Sequence, residues 1–260
     1  MMTARDGVAI AFEVDGRGRH VTLIHGVGSH LQAWDGIVEA LREEFTLLRY
    51  DLRGHGKSGK PPGPYTLNDY IADLAALLDA LAVEQTTLVG FSFGGMIAPA
   101  FTVRYPERVR ALGIVSAVAG RSSEQRAAVV RRADELAQGG ATGTVGEAIE
   151  RWFTPEFRER NPEIIERQIQ RVLSNDPVGY AAAYRVFAES DVIDDLHRIV
   201  SPTLVMTGQH DSGSTLSMAH AMHERITGSR LVILPRYRHS LLIKATAEVA
   251  RELRSFLKDT

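Results

Sequence analysis

The chain has no cysteine in its 260 residues. That excludes a disulfide framework, a thiolate nucleophile and any cysteine-ligated zinc or iron–sulfur site. It also lacks an excess of either charge, with 30 basic residues against 32 acidic ones. A nucleic-acid binder would show a basic surplus instead. No apolar run reaches the roughly 18 residues that a membrane span needs. The first twenty residues hold Arg5, Asp6, Glu13, Asp15, Arg17 and Arg19, which leaves no room for the apolar centre of a signal peptide. Internal repeats and low-complexity tails are missing as well. What remains is a soluble, cytoplasmic protein that binds neither nucleic acid nor membrane. Its length and 44% hydrophobic content suffice for one large α/β domain, or for a core domain carrying an insertion.

What is present is a regular alternation. Val21–His25, Thr46–Tyr50, Thr86–Phe91, Val109–Ser116, Thr203–Gly208 and Arg230–Leu234 are apolar on consecutive positions, the pattern of strands covered on both faces. Between them the helical period predicts helices over Leu31–Glu43, Leu67–Leu81, Gly95–Tyr105, Ser214–Ile226 and Thr246–Leu257. Strands alternating with helices imply a mainly parallel sheet flanked by helices. From about residue 120 to 199 no strand is evident. That segment is rich in Arg, Glu and Ala, with a flexible stretch of small residues from Gln138 to Gly146. The division predicted is a core of residues 1–119 and 200–260 and a helical cap, or lid, of residues 120–199.

The chemistry centres on Gly90-Phe91-Ser92-Phe93-Gly94, a G-x-S-x-G pattern between a strand and a helix. The serine there sits on a strained turn, and the helix that follows points its positive end at developing negative charge. Pro99 removes one backbone bond inside that helix. A serine hydroxyl needs a base, and the base an orienting acid, in the chain order Ser, acid, His. Asp211 follows one late strand and His239 the next, so these are the candidate acid and base. Asp191, Asp194 and Asp195 precede the strand and are expected to end the insertion. Of the nine histidines, His20, His30 and His197 read as surface residues; His220 and His223 share a helix face but lack a third metal ligand. Two backbone N–H groups must meet the oxyanion. Phe93, after the nucleophile, supplies one, and Val27 in His25-Gly26-Val27-Gly28 the other. His25 is expected to hold that loop by hydrogen bonds. Gly56-Lys57-Ser58 resembles the end of a phosphate loop, but the first glycine of that motif would be Asp51, so the match fails.

These motifs, with Trp34, Tyr50-Asp51-Leu52-Arg53-Gly54-His55-Gly56-Lys57-Ser58, Tyr105-Pro106-Glu107-Arg108-Val109 and Pro202-Thr203-Leu204, resemble the α/β-hydrolase superfamily over essentially the whole chain. Gly63-Pro64-Tyr65-Thr66-Leu67, Phe93-Gly94-Gly95-Met96-Ile97, Arg151-Trp152-Phe153-Thr154-Pro155 and Asp176-Pro177-Val178-Gly179-Tyr180 are similar to 3-oxoadipate enol-lactonases. The resemblance implies an α/β-hydrolase fold and cofactor-free, metal-free hydrolysis of a small ester or lactone by a Ser92–His239–Asp211 triad through an acyl-enzyme. Two positions depart from the family: a proline usually follows the acid by three or four residues, where this chain has Asp211-Ser212-Gly213-Ser214. A small residue usually precedes the histidine, where this chain has Arg238. Trp152 and Phe153 are expected either to wall the pocket or to pack the cap, and Arg121, Arg151 and Arg185 are candidates to meet a substrate carboxylate. Other readings compatible with the same triad are a general carboxylesterase, a C–C hydrolase, a perhydrolase-like enzyme and a receptor without turnover. The partner expected is a small-molecule ester or lactone; a homodimer is left open.

Overall fold

A computed structural model describes residues 1–4 and 6–260; Arg5, one of the charges counted above, lies outside the described residues. Met2–Thr3 (β1) and Ala9–Ile10 (β2) form a short antiparallel ladder. The main sheet has seven strands: Phe12–Gly16 (β3), Arg19–Ile24 (β4), Phe45–Tyr50 (β5), Thr86–Phe91 (β6), Val109–Val115 (β7), Thr203–Gly208 (β8) and Arg230–Leu234 (β9). They lie in the order β3-β5-β4-β6-β7-β8-β9. Only β3 is antiparallel, along β5; every other neighbouring pair is parallel.

The six apolar runs read from the sequence are the six parallel strands, shifted at their ends by a residue or two. β3 has no counterpart among them. Its Glu13 and Asp15 look like loop residues, yet both carboxylates pair with Arg49 of β5, at 2.7 and 3.3 Å. An edge strand open to water tolerates such charges, and the ion pairs fix its register.

Outside the insertion, helices cover both faces. Leu31–Glu43 is not one helix: a 3₁₀ turn over Leu31–Trp34 precedes Asp35–Leu41 (α1). Leu67–Ala80 (α2) opens on a capping box between Thr66 and Asp69. Gly94–Arg104 (α3) runs through Pro99 without ending there. After β7 come five helices: Ser123–Gly139 (α4), Val145–Trp152 (α5), Pro155–Arg160 (α6), Pro162–Leu173 (α7) and Pro177–Glu189 (α8). The small-residue stretch from Gln138 is the end of α4 and a 3₁₀ turn over Ala141–Gly143. Leu216–Arg225 (α9), Leu241–Lys244 (α10) and Thr246–Asp259 (α11) complete the chain.

Three apolar clusters hold these layers together. One packs α2, α3 and α9 on one face of the sheet; a second packs α1, α10 and α11 on the other. The third lies within the inserted helices, around Leu136, Ile149, Phe153, Val172 and Tyr184. The insertion thus has a small core of its own. Asp191 joins its two ends by accepting N–H bonds from Gly120 and Arg121 at one end and from Val192 and Ile193 at the other.

Candidate active site

Ser92 follows the C-terminal end of β6 with φ +54°, a left-handed conformation that costs energy for any residue with a side chain. Its amide donates to Val115 O at 2.9 Å, which holds the turn against β7. The flanking glycines explain why the turn is possible. A Cβ on Gly90 would stand 2.1 Å from Gly94 O, and one on Gly94 would stand 2.1 Å from Ile24 O. Helix α3 begins two residues after the serine, so its positive end faces the hydroxyl.

His239 and Asp211 meet on the loops after β9 and β8. His239 Nδ1 donates to Asp211 Oδ2 at 2.8 Å, leaving Nε2 as the free ring nitrogen. The Asp211 side chain is fully buried, and the His239 imidazole packs against Phe91, ring centroids 5.1 Å apart. Asp211 Oδ1 accepts N–H bonds from Gly213 at 2.9 Å and Ser214 at 2.8 Å. Every acceptor position of the buried carboxylate that matters for orientation is thereby occupied. The departure from the family pattern acquires a physical meaning here. A proline at position 214 would have no N–H to give, whereas Ser214 gives its N–H to Asp211 and its hydroxyl to Ser116 O at 2.6 Å.

Arg238, the other departure, points neither to the cavity nor to open water. Its Nη1 donates to Glu150 O and, at 3.1 Å, to Phe153 O, the unsatisfied carbonyls at the C-terminal end of α5. On the far side of His239, Ser240 N donates to Trp152 O at 3.4 Å. Both neighbours of the histidine are therefore tied to the same helix end.

The loop after β4 is held by two buried histidines. Leu52 N–H donates to His25 Nε2 at 3.0 Å, so the ring proton is on Nδ1, which donates to Gly26 O at 2.7 Å. His55 repeats the scheme, accepting from Gly28 N–H at 2.9 Å and donating to Arg53 O at 3.1 Å. Burial pushes both imidazoles down to about 3, so they are neutral. Asn175, from the turn before α8, adds a bond to Gly28 O at 3.1 Å. The loop approaches the serine closely: a Cβ on Gly26 would lie 3.4 Å from Ser92 Oγ. Among the described residues, neither the Val27 nor the Phe93 amide donates to a protein acceptor. Two backbone donors are left unused beside the hydroxyl. His55 and Asn175 are parts of this loop's support that the sequence reading missed; no spacing marks them, because both act across long sequence separations.

Ser92, Val27, Trp152 and His239 line one cavity of about 260 Å³, roofed by the inserted helices. Trp152 and Phe153 part company: Trp152 faces the cavity, while Phe153 is fully buried and stacks on Phe157 at 5.3 Å. The arginine candidates separate too. Arg121 caps the C-terminal end of α8 through Phe187 O at 2.8 Å and lies over the Phe187 ring. Arg185 is outside, paired with Asp134 and Glu189. Arg121 and Arg151 both line the cavity, joined by Arg132 and Arg171, which the sequence reading did not single out. His30, read as a surface residue, is half-buried and feels the charge of Arg171. His20 and His197 are exposed; His223 bonds Ser229 Oγ at 2.8 Å. Among the described residues no group of three or more metal-binding side chains converges, and no helix is long and apolar enough to cross a membrane.

A serine elbow after β6, the third of the parallel strands in chain order, with an acid and a histidine after the last two strands, matches a known family. Residues 19–246 fit the model of the alpha/beta hydrolase fold, and the chain belongs to the α/β-hydrolase family. Its relatives include the 3-oxoadipate enol-lactonase 2 of Acinetobacter baylyi, 34% identical over 90% of this chain and 87% of that protein. Among solved structures, the enol-lactonase of Burkholderia xenovorans LB400 superposes with a TM-score of 0.92 at 28% identity, covering 97% of this chain and 98% of that one. A thermophilic esterase from Thermogutta terrifontis, with malate bound, superposes with a TM-score of 0.91 at 32% identity, covering 99% and 96%.

Proposed function

We propose that this protein is a cytoplasmic serine hydrolase that opens a small ester or lactone, with the residues 120–199 segment serving as its lid. The observation that carries the reading is the buried Asp211–His239 pair reaching the same cavity as the strained Ser92. In the first step Ser92 Oγ bonds to the substrate carbonyl carbon while His239 Nε2 takes the hydroxyl proton. Asp211 holds the imidazole in the tautomer that makes this possible and stabilises its cation. The Val27 and Phe93 N–H groups receive the oxyanion; such a donor is worth on the order of 3 kcal/mol of barrier. The carbon–oxygen bond of the ester then breaks, and His239 returns the proton to the leaving oxygen. In a lactone that oxygen stays attached to the acyl chain. Water attacks the acyl-enzyme, giving its proton to His239, which passes it to the departing Ser92 Oγ.

The relatives named as enol-lactonases, and the similarity of the two inserted stretches around Trp152 and Asp176, support an enol-lactone as the substrate. A cavity of about 260 Å³ suits a molecule of that size. Intact-mass analysis after brief exposure to a fluorophosphonate, with peptide mapping, tests the assignment. A single rapid adduct on Ser92 is expected. A folded protein that takes no adduct, or takes it elsewhere, overturns it.

A further inference from the structure

Four arginines line the cavity that holds Ser92; Arg121 sits in the field of Asp191, while Arg132 of α4, Arg151 of α5 and Arg171 of α7 converge on the cavity without such a partner each. Their charges are not balanced from within. Arg132 and Arg151 share one carboxylate, the exposed Glu147, at 3.6 and 3.4 Å. Arg171 pairs with no carboxylate among the described residues, and its guanidinium donates to none of their side chains or carbonyls; its Nε is buried without a partner. The Nε of Arg132 is buried and unpartnered as well. The Tyr180 hydroxyl stands within the field of all three guanidinium groups. Burial draws Arg171 down to about 10, and burial with the nearby Arg132 charge lowers Arg151. A cluster of like charges withdrawn from water is costly unless a counter-charge enters it.

With Arg121 offset by Asp191, the other three cations against the one exposed carboxylate of Glu147 leave two positive charges facing the cavity. We infer that the cavity takes a dianionic acyl substrate, a small lactone or ester bearing two carboxylates, one met by Arg171 and the other by Arg132 and Arg151, with the Tyr180 hydroxyl within reach of both. This rests on the reading of Ser92 as nucleophile. The guanidinium fork matches a carboxylate in two parallel hydrogen bonds, which a lysine could not supply. Arg171 arises from the turn of helix just before Asn175, which bonds the Gly28 carbonyl, so a carboxylate held there lies beside the loop that carries the Val27 amide.

The test compares five-membered lactones bearing no, one or two carboxylates, with kcat/KM measured on the whole chain. Each carboxylate is expected to raise kcat/KM by roughly tenfold or more. Arg171→Gln lowers the ratio of the dicarboxylate to the neutral lactone by roughly ten- to hundredfold, mainly through KM, Arg171→Lys recovers part of it, and added potassium chloride shrinks it. A neutral lactone turned over as well as the dicarboxylate overturns the inference, as does a single carboxylate that outperforms two. The two readings fail separately. Turnover that survives Ser92→Ala removes the nucleophile, whereas turnover that needs Ser92 but ignores charge removes only the anion site. A thermal-shift titration reads the same site without turnover: glutarate raises Tm where butyrate does not, and Arg171→Gln abolishes the difference. Equal shifts by the two acids overturn it.

Discussion

The sheet and the inserted helices solve opposite problems. In the sheet, β4, β6, β7 and β8 are buried almost throughout, and the candidate catalytic groups stand on loops that follow the strands. Their positions follow from close packing, where a shift of a fraction of an ångström is opposed from every side. The inserted helices have a core of about ten side chains; α8 also joins the sheet domain's apolar cluster through Ala183 and Val186, and polar bonds add to this at Asp191, from Asn175 to Gly28 and from Arg238 to the end of α5. The proposed division is that the sheet, as a frame, sets the geometry of the candidate triad and the arginine-lined roof sets what enters. On that reading, catalytic competence and selectivity should be separable by mutation.

The contrast can be broken most severely at the frame. Ser92→Ala should lower turnover by at least about 10⁴-fold while the melting curve is unchanged or improved, since the strain at φ +54° gains nothing from the hydroxyl. In the roof, Phe153→Ala should destabilise by about 3–4 kcal/mol, because the ring is fully buried, whereas Trp152→Ala should raise KM with little change in melting. Urea titrations of the two variants separate the cases; equal destabilisation would remove the distinction between cap core and cavity wall.

Acid should act on the frame as well. His25 and His55 are held near 3 in the folded chain against about 6.5 unfolded, so the unfolded state binds the extra protons. Their contribution is complete above about pH 6.5 and declines as pH falls toward 3, by about 2 kcal/mol for each histidine at pH 5. Urea midpoints at pH 7.5 and 5 should differ accordingly, and less so in His25→Asn/His55→Asn. The smallest effect is expected at Ser214→Pro, which restores the residue usual in the family. It removes one N–H from Asp211 and should lower kcat by about tenfold with KM unchanged. A kcat that rises instead would show that the bond is not needed.

The parallel strands, the serine elbow and the order of acid and base could be read along the chain because each is a local pattern. Runs of apolar residues mark buried strands, and G-x-S-x-G records a close approach of backbone to backbone. β3 escaped because its Glu13 and Asp15 make sense only opposite Arg49, a partner 36 and 34 residues away. The arginines escaped for a related reason. Arg171 lies in a helix that also carries Arg167, and nothing local says which of the two turns inward. Only the path of α7 across the loop after β4 decides it. Arg185 illustrates the reverse, a plausible anion-binding residue that the turn of α8 directs to the outside.

The two bonds that flank His239 give the roof a hold on the base. Residues 238 and 240 both end on carbonyls at the C-terminal end of α5, so the position of that helix end bears on the loop from either side of the imidazole. The end of one roof helix thus doubles as a clamp on the ring of the proposed base, set from both sides of it in the chain.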